Sequence, residues 1–255
     1  MLPSLFISHG SPMLALEPGA SGPALAKLAA ELPSPKAIVV VSAHWESRQL
    51  LLTAGEQPQT WHDFGGFPAP LYAVQYPAPG APALAGEIAQ QLNEAGLATE
   101  LDAQRPFDHG AWVPLSLMYP QADIPVVQLS LPSREGPELQ TRVGRALASL
   151  REQGILLIGS GSITHNLGEL SWRAGPEVIT PWAKEFRDWV VEKLGADDEQ
   201  ALHHYRRLAP DAVRNHPSEE HLLPLFFARG AGGAFSVVHS GFTYGALGMD
   251  IYRFD

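Results

Sequence analysis

Residues Ile38–Val41, within the stretch KAIVVVSAH at 36–44, are four β-branched residues in a row with nothing polar between them. A strand that faces water on one side alternates apolar and polar side chains, whereas an unbroken apolar run needs cover on both faces. That requirement points to the interior of a parallel sheet sandwiched by helices. IPVVQLSL (124–131) and GILLIGSGS (154–162) read the same way, and residues 4–8 read as a shorter buried strand. QLLLTAG (49–55) reads as the strand after the first run, and AFSVVHSGF and MDIYRFD read as closing strands. Helical spacing of apolar residues marks 21–33, where Leu25, Leu28 and Leu32 recur behind Ser21 as the expected N-cap. It also marks 82–95, ended by Gly96, then 135–152, and segments near 181–194 and 198–207. A last helix is expected to open with Ser218 as N-cap and to run through LLPLFFARGA. Strands alternating with helices predict an α/β fold with a central mostly parallel or mixed sheet and helices on both faces. No repeat, linker or low-complexity tract interrupts the pattern, so residues 1–255 are expected to form a single domain, long enough for a substantial core.

Composition removes several kinds of chemistry. The chain has no cysteine, which excludes disulfides, thiolate metal sites and a cysteine nucleophile. Its formal charge of −10, with no basic run, argues against a nucleic-acid partner, because neutralising phosphates takes clusters of Lys and Arg. No stretch approaches the roughly 20 apolar residues of a membrane span, and MLPSLFISHG lacks the features of a signal peptide. A cytoplasmic protein without membrane contacts is therefore expected. No interface signature is legible, so the oligomeric state stays open.

Three of the apolar strands run directly into a histidine: LFIS into His9, VVVSA into His44, and ILLIGSGSIT into His165. Ligands of open α/β sheets bind outside the carboxyl ends of the strands, so three such residues suggest a shared site. Of the ten histidines, His109 lies in FDHGAW with Asp108 as a candidate partner, and His221 lies in PSEEHLLP, expected in the first turn of the last helix. His216 precedes Pro217, His62 sits in a long irregular stretch (56–81), His203 and His204 read as solvated helix residues, and His239 ends a late strand. The Gly/Ser-rich exit before His165 lacks the lysine of a phosphate loop. Imidazole suits zinc and iron alike. The residues alone therefore point to a His-rich metal site on an α/β sheet.

Eight blocks go further. HGSPM, VVVSAHW, HDFGGFP, LYAVQYPAPG, FDHGAWVPL, DIPVVQLSL, SGSITHNL and PSEEHLLPL occur in this order, within a match that spans about Leu5 to Pro224. Together they resemble the class III extradiol ring-cleavage dioxygenases, in particular the 4,5-DOPA dioxygenase-type branch. The resemblance implies that the chain cleaves the ring of a DOPA-like catechol with O2 to a muconic semialdehyde. It implies His9, His44 and His221 as metal ligands, His165 as acid/base residue or as a further ligand, and His109 as a residue touching substrate or oxygen. Fe(II) is the expected working metal, with Zn(II) as an ion that the same site would hold.

The third ligand position is a glutamate in the wider superfamily and reads as histidine here, so Glu219, Glu220 and Glu46 remain candidate carboxylate ligands, and His165 competes with His221. The loop 61–77, with Trp61, Phe64, Phe67, Tyr72 and Tyr76, is expected to wall the ring. Arg48 and Arg105 are the basic residues nearest the site blocks. A three-histidine zinc hydrolase, with His165 or Glu220 as base, is the competing reading.

Overall fold

Alternate side chains of the central strands feed two separate cores, as expected of a sheet covered on both faces. Val39, Val41 and Leu157 belong to one core, and Ile38, Val40 and Leu156 belong to the other. The structure is a computed structural model that describes residues 1–175 and 177–255.

In chain order the first half comprises β1 (Ser4–Ser8), α1 (Ser21–Glu31), β2 (Ala37–Glu46), β3 (Leu50–Thr53), α2 (Ala69–Tyr72), α3 (Pro82–Glu94), β4 (Thr99–Asp102) and α4 (His109–Met118). The second half comprises β5 (Val126–Leu131), α5 (Gly136–Leu147), β6 (Ile155–Gly161), α6 (Pro181–Gly195), α7 (Glu199–His203), α8 (Tyr205–Leu208), α9 (Ala212–Asn215), α10 (Leu223–Ala231), β7 (Phe235–His239), β8 (Phe242–Thr243), β9 (Leu247–Gly248) and β10 (Ile251–Phe254). The main sheet has the order β4-β3-β5-β2-β6-β1-β10-β7. Its centre is parallel, through the pairs β5/β2, β2/β6 and β6/β1, while β10 and β7 join antiparallel and β3 runs antiparallel to β5. The sheet is therefore mixed around a parallel heart, and the carboxyl ends of β1, β2 and β6 lie side by side. Helices α1 and α4 cover one face, and α3, α5, α6 and α10 cover the other. No helix among the described residues is long and apolar enough to cross a membrane.

Several boundaries differ from the expected ones. Helix α1 is capped by Ala20, and Ser21 is its first residue. It stops at Glu31 because Leu32 precedes Pro33 and is extended, with ψ 147°. Segment 198–207 breaks at His204 into α7 and α8. The last helix starts at Leu223 rather than behind Ser218, with Pro224 in its first turn, where a missing N–H costs nothing. His221 is consequently part of the preceding turn. The irregular stretch 56–81 is pinned by the bridges Thr60↔Phe107 and Gly80↔Val126 and contains α2.

Candidate metal centre

Three chain segments deliver imidazoles to one point. His9 follows β1, His44 is near the end of β2, and His221 sits in the turn ahead of α10. One ligand nitrogen from each lies within 4.8 Å of the others, and the Nε2 atoms of His9 and His44 are 3.0 Å apart. The close approach depends on Gly161 at the end of β6: a Cβ there would lie 2.1 Å from the His221 carbonyl oxygen, which accepts the Ser162 N–H at 2.8 Å. His109 opens α4 with its ring centroid 3.9 Å from that of His44. His165, just beyond β6, stacks on His221 at 3.5 Å with planes 6° apart. The geometry thus groups His221 with His9 and His44, and sets His165 beside them rather than within the triangle.

What lies behind each ring decides which nitrogen carries its proton. Pro114 interrupts α4 and cannot donate to the Gly110 carbonyl one turn back. That carbonyl instead accepts the Ser160 hydroxyl. With its proton used, Ser160 Oγ acts as acceptor toward His9 Nδ1 at 2.9 Å, which leaves His9 Nε2 with a free lone pair. Glu220 Oε1 lies 2.8 Å from His221 Nδ1 and does the same for that ring. His109 is held by Asp63, whose Oδ1 accepts from both its backbone N–H and its Nδ1, each at 2.9 Å. The second oxygen of Asp63 lies 3.9 Å from His44 Nδ1.

The electrostatics suit a cation. Burial, and then the neighbouring imidazoles, hold His9 and His221 well below the usual histidine range. Burial and His109 lower His44 to about 3 against the opposing Asp63, and burial lowers His165 to about 4 against the opposing Glu220. Burial raises Asp63, but the bonds from His109 outweigh it and keep the carboxyl below its ordinary value. His9, His44, His165 and His221 therefore present neutral nitrogens. His221 Nε2 is buried with no hydrogen-bond partner, a state that metal ligation would relieve. Nitrogens about 2.1 Å from a shared ion lie roughly 3–3.5 Å from each other, so the 3.0 Å between His9 and His44 needs little adjustment. The residues present fit a divalent ion of the zinc or iron kind.

One consequence concerns acid. His216 is fully buried behind the site, with Nε2 at 3.0 Å from the Ile163 carbonyl, and burial lowers it to about 4. A folded-state value below the unfolded one means that the unfolded chain binds the proton first. The stability tied to a neutral His216 is thus complete above about pH 6.5 and is lost as pH falls toward about 4. At pH 5 the loss from this group alone is on the order of 2 kcal/mol. Urea unfolding of metal-free protein should show stability dropping between about pH 7 and pH 5, and a flat profile would refute the neutral burial of these rings.

Other expectations need correcting. Asp108 does not partner His109: it is fully buried and accepts from Ser42 Oγ at 2.7 Å, from Gln128 Nε2, and from Arg105 Nη2 at 3.3 Å. Glu46 is exposed and bonded to Ser133, and Glu219 accepts the Tyr205 hydroxyl at 2.8 Å, so neither reaches the triangle. Arg105 is spent on structure, lying between the Trp45 and Trp61 rings while donating to the His44 carbonyl at 3.1 Å.

Of the loop aromatics, Phe64 stands 5.5 Å from His109 and packs with Phe67 and Tyr72, whereas Tyr76 is core and donates to the Tyr119 carbonyl. His203 is half-buried against Thr141 Oγ1 at 2.9 Å rather than solvated. Asp63 escaped the sequence reading altogether. The available signal was an acid beside His62 in a loop too rich in aromatics to be disordered.

The family model for the catalytic LigB subunit of aromatic ring-opening dioxygenase matches residues 3–255. A protein of Escherichia coli (strain K12) named 4,5-DOPA dioxygenase extradiol is 44% identical over 234 residues, covering 90% of this chain and 85% of its own length. One of the same name from Beta vulgaris is 39% identical over 259 residues, covering 98% and 96%. The crystal structure of an uncharacterized protein from Escherichia coli K12 superposes with a TM-score of 0.84 at 36% identity, over all of both chains.

Proposed function

The chain belongs to the family of the catalytic LigB subunit of aromatic ring-opening dioxygenases, and from that membership we propose that it cleaves a DOPA-like catechol with O2 on an Fe(II) ion held by His9, His44 and His221. It is an extradiol dioxygenase, opening the catechol ring beside the diol. The finer substrate follows the printed names of its relatives. The observation that carries the ligand assignment is the convergence of three neutral imidazoles, two at strand ends and one in the turn ahead of α10 with an orphaned buried Nε2. The same nitrogens suit Zn(II), which has no redox chemistry and would occupy the site without supporting reaction with oxygen. The hydrolase reading is set aside, because the family opens aromatic rings.

An Fe(II) ion there would acidify the catechol hydroxyls and would let electron density pass from the catecholate to dioxygen, the catechol being the reductant. The protein supplies the proton path and the walls. His165 is neutral at working pH and can take a hydroxyl proton. His109, with Nδ1 committed to Asp63, offers Nε2 as a second acceptor. Either imidazolium can return its proton when the ring opens to the muconic semialdehyde. Phe64, Phe67 and Tyr72 give the ring an apolar wall and exclude water. In this reading residues 1–255 act as one catalytic domain.

The decisive experiment reconstitutes the protein with Fe(II) without air, adds DOPA or a simpler catechol, and then admits oxygen. Oxygen uptake and a yellow ring-opened product are expected, and Zn(II)-loaded protein should remain inert. An iron-loaded protein that leaves every catechol intact would overturn the proposal.

A further inference from the structure

Loop 61–77 contributes more than a wall. Asp63, from this loop, reaches the first residue of α4, 46 positions along the chain, and places one carboxylate oxygen 2.9 Å from both the backbone N and the ring Nδ1 of His109. Its other oxygen faces His44 Nδ1 at 3.9 Å. Both Asp63 and His109 side chains are 8% exposed, so water does not compete for the bond. Neutral imidazole has two tautomers, and only one of them leaves a lone pair on Nε2. A carboxylate accepts and does not donate, so it selects the Nδ1–H form.

We propose that Asp63 is a positioning residue for ring cleavage: by accepting the Nδ1–H and backbone N–H of His109, it fixes this histidine in the tautomer whose Nε2 can take a proton from the catechol. The inference rests on the dioxygenase reading above and gives the second proton acceptor of that reading, His109, a definite protonation site. It also links two events that look separate. The loop that lays Phe64 5.5 Å from His109 is the one that carries the carboxylate, so docking the wall and setting the tautomer happen together.

The test has an arm that needs no turnover. In nitrogen-15 spectra of metal-free protein, with His109 assigned by loss of its signals in His109→Gln, the wild type should show His109 protonated on Nδ1 and bare on Nε2. Asp63→Ala should mix the tautomers. In the iron-loaded enzyme, Asp63→Ala should lower kcat about 10–100-fold, the usual cost of removing a partner that orients an active imidazole. Its KM for catechol and, at saturating Fe(II), its metal stoichiometry should stay near the wild-type values. Asp63→Asn keeps an acceptor oxygen in place and should recover most of the lost kcat along with the Nδ1–H form.

A wild-type His109 protonated on Nε2 overturns the proposal without any variant, even if Asp63→Ala does not fold. So does Asp63→Ala with unchanged kcat, a kcat loss with the tautomer unchanged, or Asp63→Asn as defective as Asp63→Ala. If wild-type protein cleaves no catechol, the function proposed above fails, and the spectra still decide the tautomer.

Discussion

His44→Ala is expected to cost the protein its metal. After Fe(II) or Zn(II) reconstitution and removal of free ion, elemental analysis should find the variant nearly empty and ring cleavage absent. Changing a residue that merely orients a ligand typically costs 10–100-fold in metal affinity. Deleting one of three ligands should exceed that, by more than about 100-fold. The geometry makes His44 the most informative candidate ligand to remove. Its Nε2 is 3.0 Å from that of His9, its ring lies 3.9 Å from His109, and its Nδ1 looks toward Asp63. Two nitrogens would remain, and Glu46 cannot replace the third because it is exposed and tied to Ser133. Full metal occupancy in His44→Ala would remove the ligand assignment and the mechanism built on it.

His165→Ala should give the opposite profile: metal retained, catechol bound, turnover lost. General acid–base groups typically contribute 10²–10⁴-fold, so kcat is expected to fall by about that factor. The ring is placed for this work, stacked 3.5 Å from His221 and outside the triangle of candidate ligands. Burial lowers it to about 4 despite the opposing Glu220, so it stands neutral near pH 7 with a lone pair to offer. Metal content and catechol-induced spectral changes, measured with kcat, separate the two roles. A variant that binds metal and catechol and turns over at the wild-type rate would end the acid–base assignment. One that loses its metal would make His165 a ligand.

Much of this architecture was legible locally. The unbroken apolar run Ile38–Val41 demanded cover on both faces, and the two cores fed by alternate residues of β2 meet that demand. His9 and His44 were readable as site residues because each ends a buried strand, and the parallel centre of the sheet sets those ends side by side. Element boundaries were less legible where several local preferences competed. Ser218 offered a capping side chain, yet the helix waited for Leu223 and Pro224, so His221 came to lie in a turn. The partner of His109 could not be read at all. Asp108 is its neighbour in sequence but points into the core toward Ser42 and Gln128, while Asp63 arrives from a loop without periodicity.

The order of apolar runs and strand-end histidines was sufficient, by itself, to specify a two-sided sheet with imidazoles at one rim, because side-chain burial follows the period of the backbone. Which imidazoles meet and which nitrogen of each keeps its proton were decided only in three dimensions. Two of those outcomes rest on bonds between distant segments, Pro114 freeing a carbonyl for Ser160 and Asp63 standing behind His109, while Glu220 behind His221 is a sequence neighbour turned onto its ring by the fold. A hydrogen bond selects a tautomer only when its partner stands within about 3 Å, and no local pattern encodes that distance.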